Sequence, residues 1–321
     1  MYAVNGDKAM KNYIVIDGGT TNTRINLVRD GGVTDTLKLN QGARSAIDGK
    51  AALAEAISKG IKAVLSRNGL ADSDINRILA SGMITSEFGL YKVEHIVAPA
   101  GVAELHSNMR EVTLPEVSPI PFVFISGVKT ACHSLENADM MRGEETELMG
   151  LINDCGEEAV YILPGSHSKI IFTDSEGRII NFHTMLTGEM TAALSQNTIL
   201  KDAVRLGECK NDTEYLLKGY RYARKNGLNE ALFKTRILKN LFGATQDQTY
   251  SFFCGAVLMG EADRILAMGA KKIYVAGRAE IKEQLTAILT ESEDIEVIAV
   301  NEKTAAEATV RGILKIYEYK G

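Results

Sequence analysis

Apolar and polar positions alternate along this chain in two distinct rhythms. Tyr13-Ile14-Val15-Ile16 is a β-branched run that enters a polar turn, and a second run leaves it with Ile25 and Leu27 at alternate positions. That pattern predicts a β-hairpin. A third strand is expected at 34–39. Leu53, Ile57, Ile61, Val64 and Leu65 recur at helical spacing and predict a helix over 51–67. Buried strands follow at 75–81, ending at Gly82, and at 122–125, then a helix at 144–153. From residue 159 the plan starts again: a strand at 159–163, a polar glycine turn, a returning strand to Thr173, and a third strand at 178–183 after Asp174-Ser175-Glu176-Gly177. Residues 191–268 read as mostly helical. Strands at 272–276, ending at Gly277, and 295–300 precede a helix at 305–319, capped by Asn301 or Thr304.

Both halves therefore open with an antiparallel β unit carrying a small-residue polar turn. The repeat is one of plan, not of residue identity, and two unrelated hairpins would look the same. Read as a duplication, it predicts two α/β domains of the actin-like (ribonuclease H-like) kind with a cleft between them. No long Pro-rich or low-complexity linker separates the halves, so the ligand site is expected at the joint.

Composition narrows the classes. At 321 residues the chain can hold two domains, and its 45% apolar and 24% charged residues are ordinary for a soluble globular protein. A net charge of −5 gives no broad basic surface for nucleic acid. No apolar run approaches the roughly 18 residues of a membrane span. Residues 1–12 are polar, lack the apolar core of a signal peptide and read as a short leader. Cys132, Cys155, Cys209 and Cys254 lie far apart with no C-x-x-C pair, as expected of reduced thiols in a cytoplasmic protein.

Three stretches carry candidate chemistry. In Asp17-Gly18-Gly19-Thr20-Thr21-Asn22-Thr23-Arg24 the glycines let backbone N–H groups approach a ligand, the threonines supply hydroxyls, and the Asp17 carboxylate suits a hydrated Mg²⁺. Together they suit a nucleotide phosphate tail, although a tight hairpin with polar turn residues has the same composition. Neither G-x-x-x-x-G-K-[ST] nor a strand followed by G-x-G-x-x-G occurs, and Gly49-Lys50 is followed by Ala51. In Met141-Arg142-Gly143-Glu144-Glu145-Thr146-Glu147-Leu148-Met149-Gly150 a glycine precedes a helix that opens on acids. The macrodipole alone favours acids there. At about 100° per residue, Glu144 and Glu145 fall within the arc of the apolar face while Glu147 points away. A carboxylate placed inward can accept the proton of an alcohol in phosphoryl transfer; Glu144 is the first choice and Glu145 the second. Finally, Pro164-Gly165-Ser166-His167-Ser168-Lys169 offers hydroxyls, an imidazole and a cation that could balance phosphate charge. A strand-edge lysine facing water is the plain alternative for Lys169, and a local hydrogen-bonding role for His167. His183 reads as a structural histidine on its strand.

These stretches, with Ser81-Gly82-Met83-Ile84-Thr85-Ser86 and Leu186-Thr187-Gly188-Glu189, resemble the 2-dehydro-3-deoxygalactonokinase family of the actin-like sugar kinases. They occur in family order and span most of the chain. One departure is Gly18, where family members often carry tryptophan; the chain contains no tryptophan. The resemblance implies MgATP-dependent phosphorylation of 2-dehydro-3-deoxy-D-galactonate on its 6-hydroxyl, in galactonate breakdown. It implies that Asp17 holds Mg²⁺ through water, that Gly18, Gly19, Thr20 and Thr21 and then Gly165, Ser166, His167, Ser168 and Lys169 bind the ATP phosphates, and that Gly277 lets the adenosine approach. Arg24 and Arg142 are candidates to meet a substrate carboxylate, and Ser81, Thr85 and Ser86 to bind sugar hydroxyls. Expected domains are 12–142, with helix 305–319 packing back on it, and 143–304 with a helical insertion at about 191–268.

Rival readings on this fold are a non-catalytic nucleotide-binding regulator, a filament-forming actin-like protein and a phosphatase of polyphosphate or guanosine tetraphosphate. The leader before Tyr13 is too short for a DNA-binding module, which counts against a repressor. A structural protein needs no proton acceptor. The expected partners are a small sugar acid and ATP, with neither nucleic acid nor membrane; a homodimer is left open.

Overall fold

The computed structural model describes residues 11–43, 50–152, 156, 158–277, 279–291 and 295–321. The leader, apart from its last two residues, and Cys155 lie outside the described residues. The chain divides into two compact units, Met1–Cys155 with Ala306–Gly321, and Gly156–Ala305. The division falls after the helix that carries the acids, not before it at 142 as the sequence suggested.

In the first unit, β1 (Asn12–Gly18), β2 (Thr23–Arg29) and β3 (Gly32–Leu39) form an antiparallel meander. β4 (Arg77–Gly82) pairs in parallel with β1, then β7 (Ser118–Phe124) in parallel with β4, and β6 (Arg110–Leu114) closes the edge. The order is β3-β2-β1-β4-β7-β6. Helix α1 (Lys50–Arg67) sets Leu53, Ile57, Ile61 and Val64 against Ile14, Ile16, Ile25 and Leu27 of the sheet. A small second sheet of β5 (Ile96–Val97), β8 (Val128–Lys129) and β9 (Met140–Met141) was not expected. Strands of two residues are too short to show any period. Nor were α2 (Val102–Ser107) and β6 foreseen.

α3 (Glu144–Leu151) joins this unit through α9 (Glu302–Tyr317), the terminal helix. Their backbones touch: a Cβ on Gly150 would lie 1.9 Å from the carbonyl oxygen of Ala308, and one on Gly312 1.7 Å from that of Thr146. Asn301 caps α9, its Oδ1 accepting from the Lys303 N–H at 2.9 Å, so the helix starts three residues earlier than the apolar pattern suggested.

The second unit repeats the plan. β10 (Ala159–Leu163), β11 (Ser168–Thr173) and β12 (Ile179–Met185) form the meander, and β13 (Lys272–Val275) and β14 (Glu296–Ala299) continue in parallel beside β10. The order β12-β11-β10-β13-β14 matches β3-β2-β1-β4-β7 strand for strand. This is the actin-like arrangement in each unit. The expected helical stretch comprises α4 (Thr187–Asn197), α5 (Thr213–Asn226), α6 (Leu228–Phe242) and α7 (Gln246–Ala267). Together with α8 (Ala279–Leu289) they bury Leu216, Tyr220, Phe253, Val257 and Leu285 around Val160, Ile162, Ile273 and Val275.

Candidate active site

In the first unit, the parallel register sets Asp17 beside Ser81 and Gly18 beside Gly82. Arg24 is the cross-strand partner of Asp17, and its Nη1 donates to Oδ2 at 3.0 Å. The turn that follows is closed by the Gly19 N–H donating to the Asn22 carbonyl at 2.8 Å, leaving Thr20 and Thr21 exposed. A Cβ on Gly18 would stand 2.6 Å from Cβ of Ile84. The 3-10 turn Met83–Thr85 therefore packs directly on the end of β1, and an indole at this position would have to displace it. Burial raises the pKa of Asp17; Arg24 opposes this and Glu144 adds to it.

Gly143, at φ +114°, turns the chain into α3 through a conformation open to glycine. Its N–H donates to both carboxylate oxygens of Glu145, at 2.9 and 2.8 Å, and the Arg142 N–H donates to Oε2 of Glu144 at 3.1 Å. Glu145 is fully buried, and its acid is pushed up to about 8 by burial first and Glu144 second. Glu144 is half-buried. Only Glu144 of the two thus keeps surface open to a substrate.

Glu147 is a correction. Its acid is pushed up to about 7 by burial, then by Glu144 and Asp17, with Arg24 opposing. It faces the same cluster and does not point away. α3 has no solvent side of the kind the helical arc assumed: Glu145, Thr146, Leu148, Met149 and Gly150 are all buried.

The proposed sugar ligands are corrected too. Ser81 Oγ lies 3.0 Å from Thr146 Oγ1, with both residues fully buried. Thr85 donates to the Gly82 carbonyl at 3.0 Å, and Ser86 to the Met83 carbonyl at 2.7 Å while receiving the Phe88 N–H. Ser81 is thus taken up by α3, and the hydroxyls of Thr85 and Ser86 by their own loop. The guanidinium of Arg142 is likewise spent on the carbonyl and hydroxyl of Thr85, the carbonyl of Val93 and Nδ1 of His95. Arg24, well exposed, is the arginine that a ligand could reach.

In the second unit, Gly165, Ser166 and His167 form the exposed turn between β10 and β11. The turn lies on the head of α4. The Glu189 N–H donates to the Ser166 carbonyl at 3.0 Å, and a Cβ on Gly188 would meet the Gly165 carbonyl oxygen at 2.1 Å. His167 Nε2 is 2.9 Å from Glu189 Oε2. Ser168 and Lys169 lie beneath the turn and are buried. Lys169 is no strand-edge lysine, since β11 runs between β10 and β12; its Nζ donates to the His167 carbonyl at 3.2 Å and supports the turn from inside. Gly277, at φ +88°, closes on Pro164, whose Cδ would be 3.1 Å from a Cβ there.

Glu261 was missed. It is fully buried on α7, and its two oxygens accept from Ser168 Oγ at 2.5 Å and Thr187 Oγ1 at 2.7 Å, tying the turn to α4. A lone acid in the apolar run 252–262 was the available signal.

Among the described residues no cluster of three or more His, Cys, Asp or Glu could hold a metal ion unaided. No helix among them is long and apolar enough to cross a membrane. Cys132, Cys209 and Cys254 are free thiols.

A sequence profile of the 2-keto-3-deoxy-galactonokinase family matches residues 17–316. A 2-dehydro-3-deoxygalactonokinase of Escherichia coli (strain K12) is 25% identical over 316 residues, covering 94% of this chain and 97% of that one. A candidate 2-dehydro-3-deoxygalactonokinase of Rhizobium meliloti (strain 1021) is 31% identical over 128 residues, 40% of each chain. The crystal structure of a candidate 2-dehydro-3-deoxygalactonokinase from Sinorhizobium meliloti shares the fold at a TM-score of 0.75 and 21% identity, over 95% of both chains. With a match running from Asp17 through most of α9, the chain belongs to the 2-keto-3-deoxy-galactonokinase family.

Proposed function

We propose that this protein is a cytoplasmic ATP-dependent kinase acting on the 6-hydroxyl of 2-dehydro-3-deoxy-D-galactonate or a closely related sugar acid. The observation that carries the reading is the half-buried Glu144 at the head of α3, close enough to Asp17 to raise its pKa. Family membership supplies the substrate class.

Glu144 takes the proton of the sugar hydroxyl. The freed oxygen attacks the γ-phosphorus, the bond from that phosphorus to the β,γ-bridging oxygen breaks, and ADP leaves. The hairpin turn of each unit, with backbone N–H groups at 18–21 in the first and at 165–168 in the second, has the chemistry to bind phosphate oxygens. Exposed Thr20, Thr21 and Ser166 add hydroxyls. Arg24 is the candidate for the sugar carboxylate.

Mg²⁺ suits the residues present. Glu144 raises the pKa of Asp17 and of Glu147, Asp17 raises that of Glu147, and Arg24 opposes both shifts. An all-oxygen set with excess negative charge favours a hard cation held by one carboxylate, waters and phosphates. Asp17 would hold it through water, and it would neutralise phosphate charge.

A coupled ADP-release assay over a panel of 2-keto-3-deoxy sugar acids and common hexoses tests the proposal. Turnover with a sugar acid and none with hexoses is expected. ATP hydrolysis that no panel member stimulates would overturn it.

A further inference from the structure

His95 has no role in the chemistry above, yet it is built into the site. It directly precedes β5, and Arg142 directly follows β9. Between these strands β8 pairs Val128 with both Ile96 and Met141, so His95 and Arg142 emerge at the same end of the small sheet, beside Gly127. Gly127 makes the room: a Cβ there would stand 2.7 Å from Cδ2 of His95 and 2.6 Å from the Met141 carbonyl oxygen.

Arg142 gathers the surrounding loop. Nη1 donates to the Thr85 carbonyl at 2.9 Å and its hydroxyl at 2.5 Å. Nη2 donates to the Val93 carbonyl at 3.0 Å and meets Nδ1 of His95 at 3.2 Å. A guanidinium has donors only, so Nδ1 of His95 must accept and the ring must be neutral, with its proton on Nε2. Burial and the adjacent Arg142 agree, holding the imidazole down to about 4. The hydrogen bonds then run in two directions. Thr85 passes the contact to the Gly82 carbonyl, beside Gly18 at the end of β1. The backbone N–H of Arg142 holds Glu144. One residue thereby links the proposed base to the strand end that carries Asp17.

We infer that the Arg142–His95 pair, anchored on Thr85 and Val93, is a positioning device that fixes Glu144 against the end of β1. Arg142 acts through Glu144 and does not bind the sugar carboxylate. The inference rests on the kinase reading for its kinetic test, but its structural test stands apart.

The variants are His95→Leu, which removes the acceptor, His95→Asn, whose carbonyl replaces Nδ1, and Arg142→Lys, which keeps the charge and loses the fork. Steady-state kinetics are measured with ATP and 2-dehydro-3-deoxy-D-galactonate, and backbone hydrogen exchange by mass spectrometry. His95→Leu and Arg142→Lys are expected to lower kcat by roughly tenfold to a hundredfold, the scale of a misplaced catalytic group, with both KM values nearly unchanged. His95→Asn is expected to restore most of kcat. Exchange should rise at 83–95 and 142–145 in His95→Leu and be unchanged elsewhere. Should His95→Leu fail to fold, His95→Gln, whose carbonyl reaches the Nε2 position, takes its place. A wild-type kcat in His95→Leu, an equal loss in His95→Asn, or a raised sugar-acid KM at constant kcat in Arg142→Lys would overturn the device. Unaltered exchange would do so even for a protein that phosphorylates no sugar acid, whereas absent wild-type turnover alone overturns only the kinase reading.

Discussion

Glu145→Gln separates charge from packing at the head of α3. The carboxyl of Glu145 is fully buried, and burial pushes its pKa up to about 8 from an ordinary 4.5. Below 4.5 both folded and unfolded chains carry its proton, and the residue makes stability neither rise nor fall with pH. Between 4.5 and 8 the folded chain keeps a proton that the unfolded chain has lost, so stability falls with rising pH. At about 1.36 kcal/mol per pH unit the full loss is roughly 5 kcal/mol, reached above pH 8. Local relaxation and water entry reduce this to roughly 2–4 kcal/mol. Gln keeps one oxygen to accept the Gly143 N–H and gives up the second, costing about 1 kcal/mol at any pH.

The variant should therefore be slightly less stable than wild type at pH 5 and clearly more stable at pH 8.5. Urea unfolding at the two pH values measures the crossover, with hydrogen exchange over 144–151 isolating the first unit. A difference of the same sign and size at both pH values would mean that Glu145 is ionised throughout and is stabilised by the two Gly143 contacts after all.

Three further outcomes follow from the same geometry. Glu144→Gln should lower kcat by about 10²–10⁴-fold, the worth of a general base, with the ATP KM little changed; near-normal kcat in the ADP-release assay would remove it from that role. Asp17→Asn should retain the fold and need more Mg²⁺ for half-maximal activity, and an unaltered Mg²⁺ titration would sink its proposed role. Gly312→Val should separate α3 from α9, because its Cβ cannot sit 1.7 Å from the Thr146 carbonyl oxygen. Overpacking of this kind costs at least the ~3 kcal/mol upper end of the usual range, and a melting temperature equal to that of wild type would show that the helices do not meet there.

The strands that build the two main sheets, the edge strand β6 apart, were legible because each carries four or more residues of regular pattern. Asp17 could be placed at a strand end because Tyr13-Ile14-Val15-Ile16 enters it as a continuous apolar run, which a strand buried on both faces requires. The turn at 165–167 was legible for the same reason, as was the repeat of plan. The small sheet was not. β5, β8 and β9 have two residues each, held by pairing across the chain, and two residues carry no period. His95 gained its neighbours from that sheet, so nothing near it in sequence marks it.

Side-chain roles at the site failed for a more general reason. The helical-arc argument placed Glu147 outward because it allowed α3 one buried side. Gly150 and the Thr146 carbonyl meet α9, the Thr146 hydroxyl meets Ser81 of β4, Leu148 and Met149 lie in the core, and Glu144 and Glu147 are near Asp17. A helix enclosed in this way has no polar side to read, and its acids mark contacts instead of solvent. The same logic misplaced Arg142, Ser81, Thr85 and Ser86. Polar residues near a predicted site were read as reaching for a ligand, but a loop folded over a strand end has carbonyls and N–H groups of its own to satisfy. Satisfying them takes these side chains first. What remains exposed after that demand is met is a shorter set: Arg24, Thr20, Thr21, Ser166, His167 and the open side of Glu144. Ligand contacts should be sought among those residues, and the buried polar ones should affect turnover only through the positions they hold.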